Sequence, residues 1–171
     1  MGQHSGIDAF ESILSTEDFN VVLNILKSSN WSYGHHSDAN QDHKKFWNMN
    51  LIDDFYFADY FFEKIKTVLN INDANLLRVY ANGQTFGLDG SWHQDSCKDN
   101  EFTFLYYSVP DWKISWGGET VFNVNGRIVS FFPKPNCALC FPGKIEHFAR
   151  SPSRECYELR TTIAFKFEVN D

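Results

Sequence analysis

The chain has no excess of positive charge: 15 Lys and Arg stand against 22 Asp and Glu, a formal net charge of −7. That balance provides no global basic field for a nucleic-acid backbone or an anionic membrane. A long apolar run is missing too, and the start, MGQHSGIDAF, has neither a basic leader nor an apolar core. A signal peptide and a membrane span are therefore not expected. Nor is myristoylation, because Gly6 stands where that pattern wants Ser or Thr. The expected location is the cytoplasm, with no membrane partner and nucleic acid disfavoured. Cysteine is sparse, four in 171 residues, which suits free thiols. Cys137 and Cys140 form a C-x-x-C inside NCALCFPG, a strand-like run. Three-residue spacing on a strand sends the two thiols to opposite faces, which argues against a zinc or redox pair. Repeats and low-complexity tracts are absent as well.

What is abundant is aromatic: 17 Phe, 7 Tyr and 5 Trp, residues that favour strands. The length suits one domain, expected over 1–171. A helical part is expected at about 10–70 and a strand-rich core at about 75–168. STEDFNVVLNILKSSNW opens with a capping signal, Ser15 followed by Asp18, and Phe19, Val22, Leu23 and Leu26 follow at helical spacing. IDDFYFADYFFEKIKTVLNIN predicts a second helix that buries Phe55, Ala58, Phe62, Ile65 and Leu69. Between them YGHHSDANQDHKK, polar and unpatterned, reads as a solvated loop. Beyond Asn75, short apolar stretches alternate with Gly, Pro, Asn and Asp. They predict strands near 75–81, 84–88, 91–95, 102–109, 119–123, 127–132, 137–141, 146–149 and 157–168, with a type I′ turn at Asn125-Gly126. Many short strands point to a sandwich or jelly roll.

The chain holds two H-x-D pairs. His36-x-Asp38 lies in the polar loop, which cannot fix ligand geometry unaided. His93-x-Asp95 lies between strand-like stretches, where residues i and i+2 share a face. A third metal ligand must come from another element, and His147 is the only histidine C-terminal to the pair. Two imidazoles and one carboxylate on one face leave the opposite positions open, which suits non-haem Fe(II), although zinc or manganese can use the same set. Arg160, in YELRTTIAFKF, offers a planar cationic fork for a carboxylate, with Thr162 on the same strand face. Arg150 and Arg154, in a loop-like stretch, are expected to be solvated or to touch substrate. Trp92, Trp112, Trp116 and Phe86 are candidates for an apolar groove near the site, with core packing as the plainer role.

His93-x-Asp95, His147 and Arg160-x-Thr162 together resemble the Fe(II)/2-oxoglutarate-dependent oxygenases. RVYANGQTF, LYYSVPDWKISWGGETVF and PKPNCALCFPGKIEHFA resemble the prolyl 4-hydroxylase-like branch over residues 75–168, and ANGQTFGLDGSWHQDS resembles oxygenases carried by bacteriophages. The resemblance implies a mainly β fold, a double-stranded β-helix (jelly roll) with N-terminal helices packed on its major sheet. It implies Fe(II) on His93, Asp95 and His147, and 2-oxoglutarate held by Arg160 with Thr162, Tyr80 and Tyr107 around it. It also implies O2 as co-substrate, ascorbate as a reductant, and host cytoplasm if the gene is phage-borne. The implied reaction hydroxylates a C–H bond of a protein, peptide or small molecule, peptidyl proline first among them, with release of succinate and CO2. Asp95 fills the position that halogenases of this type leave open. Lys166 is a departure: hypoxia-sensing prolyl hydroxylases have a tryptophan six residues after the arginine, so prolyl specificity is in question. The alternatives are a jelly roll that binds without turnover, and a metal enzyme that does not use 2-oxoglutarate.

Overall fold

A computed structural model describes residues 6–37 and 43–170. Among these residues ten strands, all antiparallel to their partners, form two sheets. In chain order they are β1 Asp8–Phe10, β2 Ser32–His35, β3 Phe46–Asn50, β4 Ala74–Gln84, β5 Glu101–Tyr107, β6 Thr120–Val124, β7 Arg127–Phe131, β8 Cys137–Pro142, β9 Glu146–Ala149 and β10 Arg160–Val169. The large sheet runs β1-β8-β5-β10-β4-β3-β2, and the small one β7-β6-β9. The turn between β6 and β7 has both Asn125 and Gly126 at positive φ, as a type I′ turn requires.

Two helical elements cover one face of the large sheet. Helix α1, Thr16–Leu26, is capped by the Ser15 side chain, which accepts a hydrogen bond from the Asp18 N–H at 3.1 Å. A π-helical turn, Tyr56–Phe61, leads into α2, Phe62–Leu69, which ends on Asn70 in the left-handed conformation. The π turn adds a residue to the helical cycle and changes the expected phase: Phe55 is 74% exposed, and Phe57, Phe61, Phe62 and Ile65 are buried. Phe61 meets Tyr106 and Phe165 edge-on, at centroid distances of 5.0 and 4.9 Å. Val22 and Leu26 of α1 join the same core. Among the described residues no helix is long and apolar enough to cross a membrane.

Alternation along the strands divides the sheet into two faces. On β10, Ile163, Phe165 and Phe167 belong to the helix-side core, while Ala164 belongs to a second cluster with Tyr80, Tyr107 and Phe122 between the sheets. Cys140 and Cys137 divide in the same way, one to each cluster, so they cannot share a metal or a disulfide. Burial pushes the Cys140 thiol up to about 12.

Three short strands depart from the expected pattern. Residues 32–35, which read as loop in the sequence, pair with β3, and neither β1 nor β3 is among the expected strands. The stretch expected as strand at 84–88 is the end of β4 and a turn closed by the Leu88 N–H on the Thr85 carbonyl. At 91–95 there is a single bridge instead of a strand.

Candidate active site

That bridge is what brings the histidines together. The main chains of His93 and His147 exchange both N–H···O=C bonds at 3.0 Å. Their imidazoles therefore lie side by side, with ring centroids 4.4 Å apart. Two residues on, the Asp95 N–H donates to the Gly143 carbonyl at 2.8 Å. Glycine at 143 eases this close approach: a Cβ there would lie 3.0 Å from the Ser96 Cβ and 3.2 Å from its nitrogen, so a side chain would push the neighbours by a few tenths of an ångström. The backbone thus places His93, Asp95 and His147 in one cluster whose ligand atoms lie within 4.8 Å of one another.

The hydrogen bonds fix the tautomers. The Nδ1 atoms of His93 and His147 lie 2.8 and 2.9 Å from the carbonyls of Ser91 and Ile145. A carbonyl only accepts, so each Nδ1 carries the proton. Burial first of all lowers the His147 pKa to about 4, so that ring is neutral at pH 7 and presents an Nε2 lone pair. Nε2 of His93 lies 3.4 Å from one Asp95 oxygen, and Nε2 of His147 lies 3.6 Å from the other. Burial opposes charge on Asp95, but cationic surroundings, the Lys166 ammonium among them, hold its pKa well below the ordinary carboxylate value. A lone pair facing a carboxylate oxygen is repulsive unless a cation lies between them. The donor set therefore fits a divalent metal, with the Nδ1–H bonds orienting the rings as metal-binding histidines require. The Thr103 hydroxyl donates to Asp95 Oδ2 at 2.6 Å, and Lys166 Nζ lies 2.7 Å from Oδ1.

The cluster opens into a cavity of about 120 Å³ between the two sheets. Every second residue of β4 from Arg78 to Gln84 lines it, as does every second residue of β10 from Arg160 to Lys166. The ladder pairs these residues directly: Gln84 with Arg160, Asn82 with Thr162, Tyr80 with Ala164, Arg78 with Lys166. Thr120, His147 and Ala149 close the side of the small sheet.

At one end Arg160 is fully buried, 0% exposed. Its Nε donates to the Gly118 carbonyl at 2.6 Å, Nη1 to Gln84 Oε1 at 2.8 Å and Nη2 to Thr120 Oγ1 at 3.0 Å. All three acceptors are neutral, and among the described residues no carboxylate forms an ion pair with this guanidinium. Two of its five N–H groups take part in none of these bonds. A buried cation without a counter-ion beside a cavity is a fit for a small carboxylate. Gly118, at φ +80, allows the approach, because a Cβ there would lie 3.2 Å from the Arg160 Cδ.

Thr162 and Tyr80 line the cavity. Tyr107 is not among the lining residues. It lies behind Arg160, ring centroid 6.0 Å from the guanidinium carbon, and donates to Thr120 Oγ1 at 2.8 Å. Burial first pushes its phenol up to about 12, so it stays a neutral donor. The four candidate groove aromatics lie elsewhere. Trp116 is buried, Trp112 donates to the Gly117 carbonyl, Trp92 packs on Phe148, and Phe86 lies exposed under Arg154. Arg150 lies 3.9 Å from Glu119. Of the polar loop, His35, His36 and Ser37 line the cavity and are not simply solvated, while Asp38 and Asp42 fall outside the described residues. Gln84, Thr103, Thr120 and Lys166 do not stand out in the sequence as working parts of the site. Two of them carry a usable signal: Gln84 is four residues from Tyr80, and Thr103 four from Tyr107, on the same strand faces.

No protein-family model matches the chain, and no curated protein matches it. Solved structures do. A prolyl hydroxylase from Trichoplax adhaerens, in complex with a hypoxia inducible factor oxygen degradation domain peptide fragment, is similar at TM-score 0.73 and 17% identity, over 97% of this chain and 84% of that one. An oxidoreductase of the 2OG-Fe(II) oxygenase family from Burkholderia pseudomallei matches at TM-score 0.74 and 12% identity, over 99% and 88%. A viral collagen prolyl hydroxylase from Paramecium bursaria Chlorella virus-1, a complex with 2-oxoglutarate, matches at 0.62 and 15%, over 97% and 98%. At such identities the likeness establishes a shared mainly β, antiparallel fold.

Proposed function

We propose that the protein is a single-domain Fe(II)- and 2-oxoglutarate-dependent dioxygenase on a double-stranded β-helix, and that it hydroxylates a C–H bond. The observation that carries this reading is the pairing, in one small cavity, of the His93–Asp95–His147 cluster with a buried Arg160 that has no carboxylate counter-ion among the described residues. A metal cluster alone suits many enzymes, and a buried arginine alone suits many anions. Together they match a divalent metal and a small diacid that binds it. The structural neighbours, prolyl hydroxylases and 2OG-Fe(II) oxygenases among them, agree.

His93, Asp95 and His147 would hold the iron, and Arg160 the far carboxylate of 2-oxoglutarate. When bound, the iron and 2-oxoglutarate supply the oxidising chemistry, with O2 consumed and succinate and CO2 released. The chain's own residues position and shield. Thr103 fixes the plane of the Asp95 carboxylate through its 2.6 Å hydrogen bond. Gln84 is held by the Leu88 carbonyl at 2.9 Å and in turn fixes one nitrogen of Arg160. Thr120 accepts from both Arg160 and Tyr107, which leaves its own proton free to point into the cavity. Phe122 and Phe141 pack on the His147 ring and keep water from its inner side. A binding module without turnover has no use for a metal cluster and a counter-ion-free arginine in the same cavity. Peptidyl proline is the first substrate to try.

The test is anaerobic. Adding Fe(II) and then 2-oxoglutarate should produce a weak charge-transfer absorption in the visible, lost in His93→Ala and weakened in Arg160→Ala. A folded, iron-loaded protein that shows no band overturns the reading.

A further inference from the structure

At the end of the cavity opposite Arg160, the ladder sets Arg78 of β4 directly across from Lys166 of β10, on the face that lines the cavity. Like charges directly opposite in an antiparallel pair repel. Lys166 is half-buried and finds Asp95, at 2.7 Å. Arg78 is exposed, lies over the Tyr80 ring at 5.1 Å, and among the described residues has no carboxylate within ion-pair distance. The lining therefore carries three cationic side chains and, among the described residues, one carboxylate, in a chain whose net charge is −7. Fe(II) would add two positive charges and the 2-oxoglutarate dianion would remove two, so the loaded cavity stays positive. The same field acts on His35, whose pKa falls to about 4 through burial first and then the charge of Arg78. Concentrating cations at the open end of a cleft in an acidic protein attracts anions to it.

We propose that the substrate is an anion: the molecule to be hydroxylated carries a carboxylate or phosphate that binds between Arg78 and Lys166, with Tyr80 beneath it. The inference rests on the oxygenase reading. It places the reacting C–H bond beside Asp95 while the charged group stays at the mouth. A neutral prolyl segment would leave Arg78 without an anionic partner.

The test uses protein loaded anaerobically with Fe(II) and 2-oxoglutarate, titrated with N-acetylproline, N-acetylprolinamide, N-acetylaspartate, its diamide, and O-phosphoserine against serine. Binding is read by ligand-observed NMR on the zinc-substituted form and by perturbation of the charge-transfer band. We expect each acid to bind about tenfold tighter than its amide, as one exposed and one half-buried cation acting on the same anion would give. The preference should survive in Arg78→Lys and vanish in Arg78→Glu. A phosphate preference in the serine pair that exceeds the carboxylate preference identifies the phosphate source, and the reverse identifies the carboxylate. Acid and amide bound equally, no acid bound, or a preference intact in Arg78→Glu overturns the proposal. The two readings fail separately: an absent band in wild type refutes the oxygenase reading, whereas a normal band without anion preference refutes only this one.

Discussion

Replacing Arg160 by methionine separates an arginine that binds from an arginine that merely packs. Without ligand, the change removes a fully buried charge whose desolvation costs several kcal/mol. It also removes three hydrogen bonds, each worth about 1.5–3 kcal/mol when one partner is charged. These terms oppose each other, so the stability of the ligand-free protein should move by no more than about 2 kcal/mol either way. With 2-oxoglutarate the balance is one-sided. Truncating one partner of a buried charged pair costs about 3–4 kcal/mol, or a 100- to 1000-fold loss in affinity. Ligand at a hundred times its Kd stabilises wild type by about 2.7 kcal/mol. For a domain of this size that raises Tm by about 5–11 °C. At the same concentration Arg160→Met should gain less than about 2 °C. The assay is a melting curve of the zinc-loaded protein with and without 2-oxoglutarate. A variant that keeps the full shift shows that Arg160 is not the anchor. A variant that unfolds without ligand shows that the guanidinium is structural.

Thr103→Val removes the 2.6 Å hydrogen bond to Asp95 and should weaken metal binding by about 10- to 100-fold with the fold intact, measured by metal titration against a chelator. Phe122→Ala, at a fully buried ring packed on Phe131, Phe141 and His147, should lose about 3–5 kcal/mol in urea unfolding. His35 has a folded pKa of about 4 against 6.5 unfolded, so below pH 6.5 the unfolded chain takes up a proton that the folded one refuses. Its share of the stability is full above pH 6.5 and is lost as pH falls toward 4. Urea midpoints across that range should therefore slope less in His35→Asn than in wild type, and identical slopes would contradict the buried, cation-flanked position of His35.

The iron-site candidates are legible in the sequence because their chemistry is rare in the chain. One H-x-D between strand-like stretches and one histidine beyond it leave few ways to build a triad, and Arg160 stands on a strand with apolar neighbours. What carries the triad is not legible. A strand at 91–95 is the natural expectation, and the ligands hang instead on one reciprocal bridge, which no local periodicity encodes. The phase of the second helix is hidden because a π turn leaves no signature in apolar spacing: regular spacing puts Phe55 inside, and the structure buries Phe57 in its place. β2 escapes notice because Ser32–His35 is four residues of mixed polarity, formed by its pairing and not by its propensity. Lys166 is readable only as a missing tryptophan. Its ammonium on Asp95 depends on the register of β10 against β4 and β5.

That register has a consequence for how the molecule is made. β10 follows every other strand along the chain, yet it lies in the middle of the large sheet, hydrogen-bonded to β4 on one side and β5 on the other. While a ribosome delivers the chain, β4 and β5 wait with open edges and nothing between them to pair with. Such edges are templates for aggregation, and closing them late makes for slow, non-local folding. The strand that ends the wait also brings Arg160, Thr162 and Lys166. Co-substrate affinity should therefore appear in a refolding experiment only in the final phase, as a sign that assembly is complete.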